Sequence, residues 1–310
     1  MDKADVVVLG IFVADLAFKA KRLPLIGETL LGENFAMGPG GKGSNQAIAA
    51  SRAGAKTAMI SRVGRDAFGA MARETWQADG VDISQVTTDE TAATGAAFIF
   101  VSSVTGDNAI IVESGAAARL TPQDARNAEQ QIAGAKVFVT QFEQPLETAM
   151  EGLRIARRHG VVTILNPAPA IPVDEAIYAL CDYVVPNETE AATLTGVDTS
   201  TDEGVMRAAE RFVALGARNA LITLGARGAF LHGEAGTHMA RAFKVDNVVD
   251  TTGAGDAFNG GFSAALAEAK SPLDAVNFGM ATAALSVQKA GTAPAMPRRA
   301  EIDAFLRARS

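Results

Sequence analysis

Short runs of β-branched and other apolar residues alternate along the chain with longer segments of helical periodicity. This alternation predicts an α/β fold in which a doubly wound, mainly parallel sheet carries helices on both faces. Most of the runs are almost entirely apolar, as expected of strands that are buried on both sides. We predict strands at 6–9, 57–60, 136–140, 161–165, 183–185 and 220–223. We predict helices at 44–53, 67–79, 122–132, 146–159, 205–215, 257–269 and 273–289.

Two segments, 15–37 and 94–112, depart from this alternation because they contain strand and turn signals without a helix between them. In the second segment, apolar runs flank a turn-rich cluster at 105–108 (TGDN), which predicts a β-hairpin. We expect the two segments to form a small β-sheet that acts as a lid over a ligand at the carboxyl ends of the strands. The whole chain, 1–310, is then a single α/β domain.

The charge balance and the rare residue types exclude several classes of function. Asp and Glu outnumber Lys and Arg by 35 to 28 and no basic block is present, so nucleic acid is not an expected partner. Cys181 is the only cysteine and the three histidines are scattered, which argues against a disulfide framework and a cysteine-rich metal site. No apolar run approaches the roughly 20 residues that cross a bilayer, so we expect a cytoplasmic protein without membrane contact.

The segment 250–261, which reads DTTGAGDAFNGG, carries the strongest chemical signal. Its glycines precede a helix, so free backbone amides and the positive end of the helix dipole form a site for a phosphate group. Asp256 is unexpected there because a phosphate repels a carboxylate. One explanation is that Asp256 accepts the proton of a hydroxyl that attacks phosphorus. The other is that it caps the helix, and this segment alone does not separate the two.

A second glycine-rich segment, 38–47, reads GPGGKGSNQA and also leads into a helix. It does not fit a phosphate-binding P-loop, because a glycine follows the lysine where Ser or Thr is required. Gly38, Gly40 and Gly43 have the spacing of a dinucleotide-binding motif, but no buried strand precedes them, which weakens that interpretation. Glycines beside a lysine and an asparagine favour a backbone that approaches a small polar ligand closely, and a turn with a solvated lysine is the alternative.

Polar residues and glycines also follow several of the predicted strands. Asn187 and Glu190 come after the strand at 183–185, where they suit Mg²⁺ held through water, although the segment by itself favours capping of a helix N-terminus. Ligands bind at the carboxyl ends of parallel strands, so residues at these ends are candidates for ligand binding, with solvated side chains and plain turns as the alternatives. They are Asp15, Glu143, Thr223, Gly225 and Gly228.

The two glycine-rich segments occur in the order and at the distance found in the ribokinase-type (PfkB family) carbohydrate kinases, which this chain resembles. The resemblance continues through 166–169 (NPAP), 186–190 (PNETE) and 223–225 (TLG), and so covers essentially the whole chain. It implies a ribokinase-like fold and an ATP-dependent kinase that phosphorylates the primary hydroxyl of a small carbohydrate, with D-ribose expected first. It also implies Mg²⁺ and K⁺ as cofactors and a homodimer formed through the lid.

The resemblance assigns roles to individual residues. It makes Asp256 the catalytic base and makes the amides of Gly253, Ala254 and Gly255 an anion hole for the transferred phosphoryl group. The sugar pocket that it implies is lined by Asp15, Gly41, Lys42, Gly43, Asn45, Glu143 and Asp256. The residues implied at the nucleotide are Asn187, Thr223, Gly225, Gly228 and Gly255, with Glu190 holding Mg²⁺ through water. The implied monovalent-cation loop contains Asp250, Thr252, Ser286, Lys289 and Gly291.

Val13 departs from the family pattern. Ribokinases usually have an asparagine that contacts the sugar at this position of the segment 10–15 (GIFVAD), and valine can neither donate nor accept that hydrogen bond. A site that lacks one polar contact discriminates differently among sugars, so another sugar or a nucleoside is an alternative substrate. A sugar sensor without catalysis is a second alternative, although an intact Asp256 favours an enzyme. An NAD-dependent oxidoreductase is the third.

Overall fold

The computed structural model describes residues 3–309, which form two separate β-sheets and the helices that surround them. The strands are β1 (Val6–Leu9), β2 (Val13–Ala20), β3 (Asn34–Gly40), β4 (Thr57–Gly64), β5 (Asp82–Asp89), β6 (Thr94–Ser102), β7 (Asn108–Gly115), β8 (Val137–Thr140), β9 (Val162–Leu165), β10 (Tyr183–Val184), β11 (Asn219–Thr223), β12 (Ala229–Gly233) and β13 (Gly236–Ala240). The helices are α1 (Lys42–Arg52), α2 (Ala67–Ala78), α3 (Pro122–Asn127), α4 (Glu129–Gly134), α5 (Leu146–Arg158), α6 (Glu188–Thr195), α7 (Asp202–Ala214), α8 (Ala254–Ala267), α9 (Pro272–Ser286) and α10 (Arg299–Arg307).

The main sheet formed by residues 3–309 has nine strands in the order β13-β12-β11-β10-β9-β8-β1-β4-β5. From β11 to β5 every neighbouring pair is parallel, and only the hairpin at the other edge introduces antiparallel pairing. The six strands predicted from apolar runs at 6–9, 57–60, 136–140, 161–165, 183–185 and 220–223 all lie in this sheet. The predicted α/β class with a mainly parallel sheet is confirmed.

Helices cover both faces of the main sheet. In β1, Val6 and Val8 pack into one hydrophobic cluster with α1, α2, α8, α9 and α10, whereas Val7 and Leu9 pack into another with α3 to α7. The predicted helix at 122–132 is wrong in one respect, because it is divided at Ala128 into α3 and α4. The ψ angle of Ala128 is 6°, which lies outside the helical range and turns the chain between the two helices.

Small residues in α8 allow this helix to pack tightly between two neighbours. A Cβ atom on Gly260 would lie 2.4 Å from the Cβ of Ala49 in α1, and one on Gly261 would lie 2.3 Å from Oγ1 of Thr282 in α9. Helices that approach so closely need glycine at the contact. This packing places the first turn of α8 beside the first turn of α1, at the carboxyl end of β1.

The second sheet contains four strands among residues 3–309, in the order β3-β2-β6-β7. Both segments that depart from the alternation lie in it, so the predicted small sheet is confirmed. One face carries Val13 and Ala97, which are buried with neighbouring apolar residues. The opposite face exposes a row of apolar side chains, among them Phe18, Phe35 and Phe98.

The part of the chain from 3 to 309 contains no helix that is both long and apolar enough to cross a membrane.

Candidate active site

Close contact between two glycines brings the chain after β1 against the start of α1. A Cβ atom on Gly43 would lie 2.7 Å from the Cα atom of Gly10, which is nearer than side chains can approach. The amide of Ser44 donates a hydrogen bond of 3.1 Å to the carbonyl of Ile11 and fixes the same crossing. Gly41, with φ of 89°, turns the chain into α1 and packs against the carbonyl of Ile11. The glycines of this segment therefore position the first turn of α1 in the site.

Asp256 lies in the first turn of α8 and faces the first turn of α1. Its side chain accepts hydrogen bonds of 3.0 Å from Nδ2 of Asn45 and of 3.0 Å from Nε2 of Gln46, and only 6% of the residue is exposed. The N-cap residue of α8 is Gly253, so the alternative that Asp256 caps the helix is wrong. Burial raises the pKa of Asp256, while Lys42 and the two amide donors oppose that rise.

A group of carboxylates surrounds the side chain of Lys42. Burial by itself would lower the pKa of Lys42, but the carboxylates of Asp256, Glu143 and Glu190 raise it above its usual value. Burial raises the pKa of Glu143 to about 7 and that of Asp15 to about 6, and Asp256 adds to both shifts. The backbone amide of Lys42 donates a hydrogen bond of 2.8 Å to Oε2 of Glu143. Buried acceptors in this number suit a ligand that is rich in hydroxyl donors.

A cavity of about 140 Å³ extends from Asp256 to the carboxyl ends of the neighbouring strands. Its wall includes predicted site residues from both the N-terminal and the C-terminal parts of the chain. Gly225 and Gly228, which were expected at the nucleotide, do not line it. The lining residues are Lys42, Asn166, Ala168, Val185, Asn187, Glu190, Thr223, Thr251, Gly253, Ala254, Gly255, Asp256 and Asn259.

Asn187 and Glu190 lie on the cavity wall and also cap α6. The amide of Glu190 donates to Oδ1 of Asn187 at 2.8 Å, and the amide of Asn187 donates to Oε2 of Glu190 at 2.8 Å. Burial raises the pKa of Glu190, partly offset by that amide and by Lys42. The capping interpretation made from the sequence is confirmed, and the position on the cavity wall leaves the predicted ligand contact as a prediction.

Three residues at the end of β11 and in the following turn, Thr223, Gly225 and Gly228, were predicted to contact the nucleotide, and the structure places them differently. Thr223 ends the strand and lines the cavity, whereas Gly225 and Gly228 belong to the turn itself. A Cβ atom on Gly228, which has φ of 111°, would lie 2.0 Å from the carbonyl oxygen of Ala240. The packing of the turn against β13 is thus sufficient to require glycine at this position.

The loop before α8 leaves amides available at the end of the cavity. Gly253 has φ of 76°, and the amide of Ala254 donates to the carbonyl of Thr251 at 3.2 Å. Ala257 is the first residue of α8 whose amide donates to the carbonyl four residues earlier, that of Gly253, at 2.8 Å. Apart from its two chain neighbours and the nearby backbone of α8, no atom among residues 3–309 lies within 4 Å of a Cβ atom placed on Gly255. An anion therefore has open access to this helix terminus.

The segments that contain the predicted cation loop lie side by side. The amides of Thr252 and Gly291 donate to the carboxylate of Asp250 at 2.9 and 3.0 Å. The side chains of Ser286 and Lys289 are engaged elsewhere, with the carbonyl of Ala283 and with Glu301. The backbone carbonyl of Ser286 also accepts a hydrogen bond of 3.0 Å from the amide of Lys289 and keeps one lone pair for a cation in the loop. Residues 3–309 contain no group of three or more His, Cys, Asp or Glu residues placed to hold a metal ion.

Three buried amide side chains near Asp256, those of Gln46, Gln141 and Asn166, were not identified as site residues from the sequence. Gln46 follows Asn45 directly, and neighbouring helix positions usually point in different directions, so its role beside Asp256 had no separate signal. Gln141 follows β8 and Asn166 follows β9, and both reach Gln46. Their position after strands was a usable signal, since polar residues collect at that edge of the sheet.

Residues 3–299 match the model of the pfkB family of carbohydrate kinases. A ribokinase from Haemophilus influenzae is 40% identical over 299 residues, which cover 96% of this chain and 97% of the relative. A deoxyribokinase from Salmonella typhi is 34% identical over 304 residues, which cover 97% and 98%. The structure of an Arabidopsis thaliana ribokinase complexed with ribose and ATP superimposes with a TM-score of 0.92 at 30% identity and covers 98% of this chain and 99% of that one.

Proposed function

The chain belongs to the pfkB family of carbohydrate kinases, and we propose that it transfers the γ-phosphoryl group of ATP to the primary hydroxyl of D-ribose, giving ribose 5-phosphate and ADP. The observation that carries the proposal is the buried carboxylate of Asp256 beside an open helix N-terminus. The similar Haemophilus influenzae protein is a ribokinase, and the Arabidopsis structure was obtained with ribose and ATP, which supports this choice of substrates.

The chemistry requires a base and a site for developing negative charge. The sugar hydroxyl gives its proton to Asp256 as its oxygen forms a bond to the γ-phosphorus, and the bond from that phosphorus to the oxygen of the ADP leaving group breaks in line. Burial raises the pKa of Asp256 and makes it a better proton acceptor, while Lys42, Asn45 and Gln46 favour the ionised form that must accept the proton. Amides at the start of α8, including that of Gly255, stabilise the transferred group.

The residues around Asp256 divide into a sugar side and a nucleotide side. Asp15 and Glu143 accept hydrogen bonds from sugar hydroxyls, together with Asn45 and the backbone at Gly41 and Gly43. On the other side Asn187 and Thr223, which line the cavity, contact the nucleotide, and the turn at Gly225 and Gly228 lies next to it.

The residues present fit Mg²⁺ and K⁺. Glu190 offers a carboxylate on the cavity wall, and Mg²⁺ is usually held by one or two carboxylates, several waters and phosphate oxygens. Bound Mg²⁺ supplies charge neutralisation at the phosphates. Asp250 and the backbone oxygens near Thr252, Ser286 and Lys289 form a set of hard oxygen donors, with Gly291 holding the Asp250 carboxylate, that suits a monovalent cation.

The second sheet, built from the segments at about 15–37 and 94–112, serves as the lid of this single-domain enzyme. Asp15 lies on the same face of β2 as Val13, which packs with Ala97, Ala117 and Leu120. A sheet that closes over the sugar excludes water and so prevents hydrolysis of ATP.

The outer face of the second sheet supports a homodimer formed through the lid. Phe18 packs against Phe35 at 4.9 Å and against Phe98 at 5.8 Å between ring centroids, and each of the three is at least 36% exposed. A contiguous apolar face of this kind marks an interaction surface. We also propose a cytoplasmic location, consistent with the buried, free thiol of Cys181.

A second candidate substrate is 2-deoxy-D-ribose. Val13 is 3% exposed and contacts an apolar cluster, so this position supplies no hydrogen bond to a sugar hydroxyl. The similar Salmonella typhi protein is a deoxyribokinase, which supports a sugar with one hydroxyl fewer.

Release of ADP against a panel of sugars tests the proposal. The panel contains ribose, 2-deoxyribose, fructose, 2-keto-3-deoxygluconate and nucleosides, each with and without K⁺, and uses the wild type and Asp256→Asn. We expect turnover of ribose that depends on K⁺ and falls about 10²- to 10⁴-fold in the variant, as for loss of a general base. Turnover of a different member of the panel would replace ribose as the substrate. No turnover with any sugar, combined with thermal stabilisation by one of them, would show a sensor instead.

A further inference from the structure

The side-chain amide of Gln46 makes three hydrogen bonds beneath Asp256. Its Nε2 donates to Oδ1 of Asp256 at 3.0 Å and to Oδ1 of Asn166 at 3.0 Å. Its Oε1 accepts from Nε2 of Gln141 at 2.6 Å. Gln46 is 1% exposed, Gln141 is 0% exposed and Asn166 is 7% exposed, so water does not compete for these bonds.

The partners of Gln46 allow only one orientation of its amide. Asn166 donates from Nδ2 to the backbone carbonyl of Val185 at 2.8 Å, which turns Oδ1 of Asn166 toward Gln46. If the amide of Gln46 rotated by half a turn, its oxygen would face the oxygens of Asp256 and Asn166, and its NH₂ group would face that of Gln141. Each of these contacts would leave a buried polar group without a partner, which is costly. The backbone carbonyl of Val185 therefore fixes, through Asn166, the direction in which Gln46 donates.

We propose that Gln46 is a positioning residue for phosphoryl transfer, which holds the carboxylate of Asp256 in one orientation and in its ionised form, and that Gln141 and Asn166 act through Gln46. The inference rests on the proposed function, because it concerns the base of that reaction. Asn45 holds the other oxygen, Oδ2, at 3.0 Å, so the two carboxylate oxygens have separate amide donors from adjacent residues of α1.

The charges around Asp256 explain why a neutral donor is useful here. Lys42 of α1 is the cation that interacts with Asp256. The carboxylates that interact with it are Asp15 of β2, Glu143 after β8 and Glu190 of α6, and each repels its negative charge. Hydrogen bonds to a carboxylate favour the charged form, so removing one donor raises the pKa of the acid. Loss of Gln46 is expected to make Asp256 harder to ionise and freer to rotate.

The test compares Gln46→Met with Gln144→Met over a range of pH. Methionine keeps the length of the side chain and removes the amide, and Gln144 is a matched control because it is 4% exposed and donates to Thr140 and to the backbone of Gln141 instead. For Gln46→Met we expect kcat to fall about tenfold or more and KM for ATP to change by less than about twofold. We also expect the acidic limb of the pH profile of kcat/KM, where activity is lost as Asp256 becomes protonated, to move up by about one pH unit. For Gln144→Met we expect an unmoved limb, whatever its effect on thermal stability.

A double-mutant cycle tests the route through Gln46. Gln141→Met should shift the acidic limb in the same direction by a smaller amount in the wild-type background and should have almost no further effect on kcat in Gln46→Met. This variant also tests the proposal if Gln46→Met does not fold. Wild-type values of kcat and of the acidic limb in folded Gln46→Met, or in Gln141→Met when Gln46→Met cannot be folded, would overturn the proposal.

Carbon-13 NMR titration of the Asp256 carboxyl in the ligand-free protein separates this inference from the proposed function. The titration needs no turnover, so it reports on Gln46 even if the wild type phosphorylates none of the sugars. A higher titration midpoint in Gln46→Met supports the positioning role, and an unchanged midpoint contradicts it. An inactive wild type would instead refute the proposed reaction.

Discussion

Gly43 lies so close to Gly10 that a Cβ atom on Gly43 would be 2.7 Å from the Cα atom of Gly10. This contact joins the end of β1 to the first turn of α1 and therefore sets the distance between the central strand and the residues that bind Asp256. The pair connects the packing of the fold directly with the geometry of the site.

The first prediction concerns this contact. Gly43→Ala should destabilise the protein by about 1–3 kcal/mol or more, because backbone atoms must move to admit the methyl group. Gly255→Ala is the matched substitution at a glycine with open space around it, and it should leave the free energy of unfolding unchanged or raise it by about 0.5 kcal/mol. Gly255→Ala should nevertheless lower kcat, because Gly255 lines the cavity. Urea unfolding and ADP release measure the two effects, and equal stabilities of the two variants would contradict the packing argument.

The second prediction is a dependence of stability on pH in the ligand-free protein. The folded-state pKa of Glu143 is raised from 4.5 to about 7, so the folded protein holds this proton more tightly than the unfolded chain does. Its contribution to stability is complete below pH 4.5 and is lost as the pH rises to about 7, with an upper bound of about 3 kcal/mol. Asp15 acts in the same direction between pH 3.8 and about 6.

Glu143→Gln should remove much of this pH dependence and make the protein more stable than the wild type at pH 8, while weakening sugar binding. Thermal unfolding at pH 5 and at pH 8 measures the difference. Glu74→Gln, which changes an exposed carboxylate, is the control and should keep the wild-type slope. A wild-type slope in Glu143→Gln would show that burial of this carboxylate carries no penalty.

The third prediction concerns the choice of sugar. Val13→Asn restores an amide at a position that is apolar here, and we expect the ratio of kcat/KM for ribose to that for 2-deoxyribose to rise about tenfold, the value of one good hydrogen bond. Because Val13 is buried, the variant should also lose about 1–3 kcal/mol of stability. Val13→Ala, which adds no polar group, controls for the change in packing. The same ratio in both variants would exclude a contact between this position and the sugar.

The fourth prediction concerns assembly. Phe18→Lys places a charge in the middle of the apolar outer face of the second sheet, and we expect the proposed dimer to dissociate to a species of 32.0 kDa. Met206→Lys changes an exposed apolar residue of α7 and should leave the dimer intact. Sedimentation velocity at micromolar concentration distinguishes the two. A wild type that sediments as a monomer would refute the dimer itself.

Central strands were predictable because burial on both faces produces continuous apolar runs. The strands at the sheet edges were not identified: β5 reads DISQVTTD, and β13 reads GTHMA. These strands contact solvent along one side, so their sequences alternate or contain polar residues and lack the signal of a buried strand. The hairpin β12–β13 and the strand β5 therefore emerged only from the structure.

Asp256 was identifiable because a carboxylate is chemically unexpected beside a glycine-rich helix terminus. Gln46 had no comparable signal, since a buried amide acquires its role only when tertiary packing brings its partners within 3.0 Å, and for Gln141 and Asn166 the only signal was their position after strands. The packing of α8 against α1, which depends on Gly260, makes this network possible. The sequence thus indicated Asp256 and Asn45 and not Gln46, the second amide that binds the carboxylate.

The carboxylates of Asp15 and Glu143, which both interact with Asp256, have a consequence for the heat of sugar binding. With pKa values of about 6 for Asp15 and about 7 for Glu143, part of the ligand-free population carries protons on these groups near neutral pH. Sugar hydroxyls that donate to the carboxylates favour the ionised forms, so binding releases protons into the buffer. Calorimetric enthalpies should therefore differ between phosphate and Tris at the same pH, in proportion to the ionisation enthalpy of each buffer, and the affinity for sugar should increase with pH.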